Sequence, residues 1–296
     1  MKTLQKTQFY SFLLFALFSA LLLTATESAA QSKLALLIGN SAYKNGPLRN
    51  PVNDVSAMNT SLKKAGFDII MIKNADRNQM GRAIDEFGSK LKNYDVGLFY
   101  FSGHGLQVNG RNYLVPLFMK IQGQADVEYE AIDAGKVLAK MEDAGNRMNI
   151  VILDACRNNP FKRSFRSARN GLAQMDAPTG SFIAFATAPG DVALDGKGHN
   201  SPYVANMLRN MFVKNITIEQ FFKRVRRGVM KDTNKKQVPW ESSSLVGDFY
   251  FGGKSPSGTS AAASSQQNNN QQQAVPIPES KPKKSKSDQA MEYLLN

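Results

Sequence analysis

The sequence predicts an α/β protein with a mainly parallel central sheet sandwiched between helices. Two features of residues 33–253 carry that expectation. Short apolar runs alternate with amphipathic stretches of helical period, the order produced by strands joined through crossover helices. Most of the apolar runs are also continuous rather than alternating, as in strands covered on both faces.

The elements follow in order. Residues 34–38 (LALLI) read as the first strand, closed by Gly39-Asn40. Pro51 suits the first turn of a helix running to about residue 65, and Gly66 suits the position just past its end. Residues 67–72 read as a second strand and 78–91 as a second helix. The run 96–102 (VGLFYFS) is a third strand that delivers His104, and 106–116 is a hairpin turned at Asn109-Gly110. A helix is expected over 131–141, then a strand over 149–154 (NIVILD) that delivers Cys156. Residues 181–187 form a fifth strand, 203–211 and 218–233 are helices, and 245–251 is a last strand. Trp240 reads as a core or sheet-edge anchor.

The ends of the chain have a different character. Lys2 and Lys6 precede an apolar run over 11–25 (SFLLFALFSALLLTA), and Ser28-Ala29-Ala30 supplies the small residues a signal peptidase reads. Residues 1–30 are therefore expected to be a signal peptide, with cleavage before Gln31. An uncleaved anchor is the alternative, but the run is shorter than the roughly 20 apolar residues of a spanning helix, so cleavage is favoured and no stable membrane span is expected after it. The mature protein would be exported, periplasmic or secreted. Residues 254–296 turn abruptly to Ser/Ala, Gln/Asn, Pro and Lys, a composition that cannot bury a core and is expected to be disordered, with a short helix at 290–295. The intervening 31–253 is one domain. Hydrophobic residues make up 42% of the chain, enough for a real core. The net charge of +13 could serve an anionic surface, but its denser patches lack aromatic interleaving and zinc-ligand spacing, so no nucleic-acid partner is expected.

The chemistry lies at two run ends. The chain has one cysteine, so no internal disulfide can form in an oxidising compartment, and a lone thiol there is either an inert small hydrophobe or a reactive group. Cys156 and His104 each follow a buried-type run at the strand edge where ligands of open α/β sheets collect. A thiol needs a base within reach to attack an amide carbonyl, and donors for the oxyanion that develops. His104 lies between Gly103 and Gly105, where the backbone can turn tightly and leave its amides open. The amides of Gly105 and Cys156 are the expected oxyanion donors. His104 precedes Cys156 by 52 residues, room for a hairpin and one crossover helix that would make their strands parallel neighbours.

These motifs resemble the caspase-like clan of cysteine peptidases, specifically its bacterial metacaspase and paracaspase-type group. The matching stretches are 35–43 (ALLIGNSAY), 51–55 (PVNDV), 100–105 (YFSGHG), 153–157 (LDACR), 239–241 (PWE) and 247–251 (GDFYF), in order over residues 32–253. The resemblance implies the caspase–hemoglobinase fold and a His104/Cys156 dyad. True caspases carry Gln two before the Cys and Gly two after it, whereas this chain has Asp154 and Asn158. In the metacaspase and paracaspase branches, acids at the positions of Asp54 and Asp154 line an acidic S1 pocket. The implied substrates are proteins or peptides with Arg or Lys at P1, since two carboxylates suit a guanidinium. Either acid alone could instead be a helix-start charge or a strand-end cap.

The resemblance also implies a substrate strand added along the edge at 184–189, with the loop 190–200 beside it. It implies activation cuts in the loop 158–170 at Arg163, Arg166 or Arg169, against which ordinary solvation of a basic loop is the stronger reading, and His199 receives no role. Many metacaspases are activated by calcium, but no calcium-loop spacing occurs here and no metal or other cofactor is expected. Two other classes compete with the peptidase. A non-catalytic caspase-fold interaction module would have no need of the His–Cys pair. A basic polymer binder would show steep salt dependence and would survive loss of Cys156. Oligomeric state is left open by the sequence.

Overall fold

The computed structural model describes residues 31–156 and 172–253. The signal peptide read at 1–30, the arginine-bearing loop 158–170 and the tail 254–296 lie outside the described residues.

The elements are β1 (Lys33–Gly39), α1 (Pro51–Lys64), β2 (Phe67–Lys73), α2 (Arg77–Leu91), β3 (Val96–Val108), β4 (Arg111–Leu114), α3 (Val127–Glu130), β5 (Ile132–Asp133), α4 (Ala134–Asp143), β6 (Met148–Cys156), β7 (Ser181–Phe185), α5 (Pro202–Asn210), α6 (Ile218–Asp232) and β8 (Trp240–Ser243). The sheet runs β2-β1-β3-β6-β7-β8, with β4 pairing β3 and β5. All neighbours along that path are parallel except β7 and β8.

Alternation along the central strands divides two cores. Ala35, Leu37, Leu98, Tyr100, Ile150 and Ile152 face α1, α5 and α6. Leu34, Leu36, Ile38, Phe99, Phe101, Val151 and Leu153 face α2 and α4. Burial on both sides explains why these strands read as unbroken apolar runs. The helices begin where local chemistry starts them. Asp76 and Gln79 form a capping box on α2, Thr217 and Gln220 form another on α6, and Ser201 caps α5 ahead of Pro202. Gly66, at φ +83°, ends α1 in the left-handed conformation expected past a helix terminus. The hairpin turns at Asn109 and Gly110, both at positive φ, as a two-residue primed turn requires.

Three expectations are corrected. The third strand does not stop before the histidine: β3 continues through His104 to Val108, leaving β6 after His104 and pairing with β4 from Gly105 onward. The segment 245–251 is not a strand. Its Phe249 and Phe251 plug into the α6 core, with the Phe221 and Phe251 rings 4.9 Å apart, and the edge strand is instead Trp240–Ser243. The helix expected from residue 131 starts at Ala134, because Ile132 and Asp133 pair with β4 and Asp133 then caps the helix through the Gly135 amide.

One contact positions everything that follows. A Cβ on Gly39 would stand 2.6 Å from the Pro51 carbonyl oxygen and 2.8 Å from Val55, so only glycine lets the start of α1 press onto the end of β1. That brings Asp54 to the carboxyl edge of the sheet.

Candidate active site

Register brings the two candidate reactive residues together. Along β3 and β6, Ser102 pairs with Asp154, Gly103 with Ala155 and His104 with Cys156. His104 is buried, at 2% exposure. Its Nε2 lies 2.6 Å from the carbonyl oxygen of Gly46. A carbonyl only accepts, so Nε2 carries the hydrogen, and in the neutral ring this leaves the lone pair on Nδ1. Gly46 turns at φ +71°, a conformation that costs a side-chain-bearing residue, and this aims its carbonyl at the ring.

Tyr43 holds the same histidine by its backbone. The step from the Gly105–Leu114 pair places His104 opposite Val115, and the Val115 amide donates to the His104 carbonyl at 3.0 Å. The reciprocal ladder bond is replaced by a hydroxyl. The His104 amide donates to Tyr43 Oη at 3.1 Å, and Tyr43 Oη donates to the Val115 carbonyl at 2.9 Å. The Tyr43 ring also packs 4.4 Å from the imidazole. Gly103 makes room for this wedge, since a Cβ there would come within 2.6 Å of Tyr43 Oη. Gly105 is needed for packing, because its Cβ would meet Leu172 at 2.9 Å and Ala155 at 3.0 Å.

The two candidate pocket acids also converge. Asp54 and Asp154 are both buried, at 0% and 3% exposure. Asp54 Oδ1 accepts from Asn200 Nδ2 at 2.8 Å and from the Ser201 amide at 3.1 Å. Asp154 Oδ2 accepts from Ser201 Oγ at 2.7 Å and from Tyr100 Oη at 3.5 Å. Ser201 Oγ also accepts the Val204 amide, so one N-cap residue starts α5 and links both acids. Asp54 Oδ2 is buried with no hydrogen-bond partner among the described residues. None of the ion pairs among those residues involves either acid.

Burial therefore disfavours both charges. It pushes the Asp54 carboxyl up to about 6 against the hydrogen bonds from Asn200 and Ser201. It pushes Asp154 up to about 8, with the charge of Asp54 as the second cause. Asp195 adds negative charge near both. Its carboxylate accepts the Arg49 and Asn50 amides at 2.6 and 3.0 Å, and its carbonyl accepts Asn50 Nδ2 at 2.6 Å. The floor of this site is thus acidic, and one of its buried oxygens, Asp54 Oδ2, is unsatisfied among the described residues.

The model of the caspase domain family matches residues 32–250. The chain belongs to that family of caspase-like peptidases. Among curated proteins, it is 29% identical over 135 residues to mucosa-associated lymphoid tissue lymphoma translocation protein 1 of Homo sapiens, and 30% identical over 132 residues to the Mus musculus homolog. These matches cover 45% and 44% of this chain but only 16% of either relative. Among solved structures, the Drosophila initiator caspase Dronc superposes with a TM-score of 0.54 at 14% identity, over 78% of this chain and 91% of that one. The fold is thus that of a caspase, with a mostly parallel sheet flanked by helices.

Within this caspase domain, the edge expected to take a substrate strand is closed over much of its length. Ala184 and Phe185 pair with both β6 and β8, and the Ala186 carbonyl accepts Gln237 Nε2 at 2.8 Å. The same Gln237 also accepts the Leu194 amide at 3.0 Å through its Oε1, so it holds the loop 190–200 as well. Trp240 sits on the edge strand, 40% exposed. His199 is exposed beside Asn200. Among the described residues, no group of three or more His, Cys, Asp or Glu side chains could hold a metal, and no helix is long and apolar enough to cross a membrane.

Sequence reasoning missed Tyr43, Gly46, Asp195 and Ser201. Ser201-Pro202 before an apolar helical run was a legible cap signal. Tyr43 and Gly46 act through contacts to β3 about 60 residues away, for which local sequence carries no sign.

Proposed function

We propose that the caspase domain is a cysteine endopeptidase that cleaves after Arg or Lys. The observation that carries this is the adjacency of two features at one sheet edge: the His104–Cys156 register pair, and beside it the buried acids Asp54 and Asp154.

In the proposed reaction, His104 Nδ1 takes the Cys156 thiol proton and the thiolate adds to the scissile carbonyl carbon. The Gly105 and Cys156 amides hold the resulting oxyanion. Its collapse breaks the C–N bond, and the imidazolium gives its proton to the departing amine. Water, deprotonated by the same imidazole, then hydrolyses the thioester and restores the thiol. The Gly46 carbonyl fixes the tautomer this sequence needs and stabilises the imidazolium, much as a carboxylate does in other triads. Asp54, Asp154 and the nearby Asp195 select P1. A guanidinium would satisfy Asp54 Oδ2 and offset the repulsion between the acids. No cofactor enters these steps. We also read residues 1–30 as a signal peptide, which places the reaction outside the cytoplasm.

Fluorogenic peptides with Arg, Lys, Asp or Ala at P1 test this directly on purified protein lacking residues 1–30. Turnover of the Arg and Lys peptides is expected, abolished in Cys156→Ala. Absence of Cys156-dependent turnover on all four, with and without calcium, would refute the peptidase. Preference for Asp would keep the chemistry and refute the pocket.

A further inference from the structure

We infer that a cavity beside His104 is a subsite for the amine side of the cut bond, taking an apolar side chain from the substrate; this rests on the peptidase reading above. The cavity is about 310 Å³, at the small end for ligand pockets, and its walls include Tyr43, Val115, Phe118 and Met119.

Topology decides which end of the substrate it meets. The strands run β1-β3-β6-β7. Asp154 lies on β6 and Ser201 and Asp195 follow β7, so the acyl side of a peptide crosses the β6–β7 half of the edge. The leaving amine must receive its proton from His104 on β3, and the chain beyond it therefore continues away from β6. The segments met there are residues 43–46, which follow β1, and residues 115–120, which follow β4. They are the segments that form the cavity. Tyr43 is common to both sites, since one residue lines the cavity and packs on the imidazole.

Phe118 marks the cavity as more than a surface dent. It is 78% exposed and sits at φ +61°, a left-handed conformation that costs a bulky residue about 1 kcal/mol or more. The surrounding backbone imposes this geometry. Val115 is held by His104, Tyr43 and Asn40, and the Leu117 amide donates to the Ala75 carbonyl at 2.9 Å. The rim is thus preorganised, and its phenyl group is held in solvent where a ligand side chain can cover it. Met119 supplies an adaptable second wall. Lys44 and Lys120 at the rim add attraction for acidic neighbours, but exposed charges of this kind contribute little, so apolar contact dominates binding there.

Internally quenched peptides with a fixed Arg at P1, varied singly to Leu, Phe or Ser at the first two positions after the cut, test the assignment. Leu or Phe at one of them should raise kcat/KM about tenfold over Ser in the wild type, the scale of burying one apolar side chain. In Phe118→Ala, an exposed position that should fold normally, that ratio should fall to about threefold or less. An equal ratio in the two proteins, or none in the wild type, would overturn the subsite. Failure of the peptidase reading would look different, as no hydrolysis of any peptide. Binding of a fluorescein-labelled Leu peptide to Cys156→Ala would then still decide: weakening on adding Phe118→Ala supports the subsite, and equal affinity rejects it.

Discussion

Asp154→Asn should lower activity on P1 Arg substrates and raise the stability of the unliganded protein at the same time. The loss follows from removing one of two carboxylates that would bind the guanidinium. Charge-assisted hydrogen bonds contribute about 1.5–3 kcal/mol, so kcat/KM for Arg should fall roughly 10- to 100-fold. The gain follows from the raised carboxyl. Its folded value is about 8 against an ordinary 3.8, so the neutral form is favoured in the native state. Stability from that preference is complete below about pH 4 and is lost as pH rises towards 8. Asn is nearly isosteric, has no charge to bury and can still accept from Ser201 Oγ. At pH 8 the variant should therefore be more stable by an amount on the order of 1–3 kcal/mol, or several degrees in Tm, with the difference vanishing near pH 4. Thermal melts at pH 4, 6 and 8 check this, and equal melting temperatures at all three would remove the buried-acid account. A P1 Arg ligand should stabilise the wild type more at pH 8 than at pH 5, since it binds the ionised acids.

His104→Ala should reduce kcat by about 10²- to 10⁴-fold, the range for a positioned general base. Tyr43→Phe gives the graded counterpart. It keeps the ring against the imidazole but removes the hydroxyl bridging the His104 amide and the Val115 carbonyl. A buried donor then loses its partner at a cost of about 1–3 kcal/mol, and the imidazole is less firmly oriented. The expected result is a kcat about tenfold lower with KM little changed, and a shifted acid limb in the pH profile of kcat/KM. A Tyr43→Phe enzyme with wild-type kcat and pH profile would reduce Tyr43 to a packing residue.

Much of this was legible because the informative residues sit where local rules are strong. Continuous apolar runs mark doubly covered strands, Pro51 and Gly66 bracket a helix, and Asn109-Gly110 fixes a hairpin. The convergence of His104 with Cys156 followed from placing two runs as parallel neighbours, which the register bears out. Tertiary packing hid the rest. The run 245–251 has the composition of a strand, yet its aromatics are anchors for α6, and the backbone pairing belongs to the weakly patterned WESS segment. His104 was expected just past a strand end, with Gly103 and Gly105 read as letting the backbone turn tightly there. They are small for another reason: Tyr43 occupies the space beside one, and Leu172 and Ala155 the space beside the other. Asn50 is a good N-cap type, but its amide side chain is committed to the Asp195 carbonyl, so it ties down a distant loop. Asp195 itself lies in a stretch with no local pattern, and only its approach to Asp54 and Asp154 gives it meaning.

Trapping probes at once whether Cys156 is a nucleophile served by His104 and whether an acid-floored pocket selects its substrates. Peptidyl chloromethyl ketones with Arg or Asp at P1 would be incubated with the wild type, His104→Ala and Asp154→Asn, and the modified residue located by mass spectrometry. The expected result is rapid alkylation of Cys156 by the Arg reagent, slowed in both variants, and little reaction with the Asp reagent. Equal labelling by both reagents, or labelling at the same rate without His104, would contradict it.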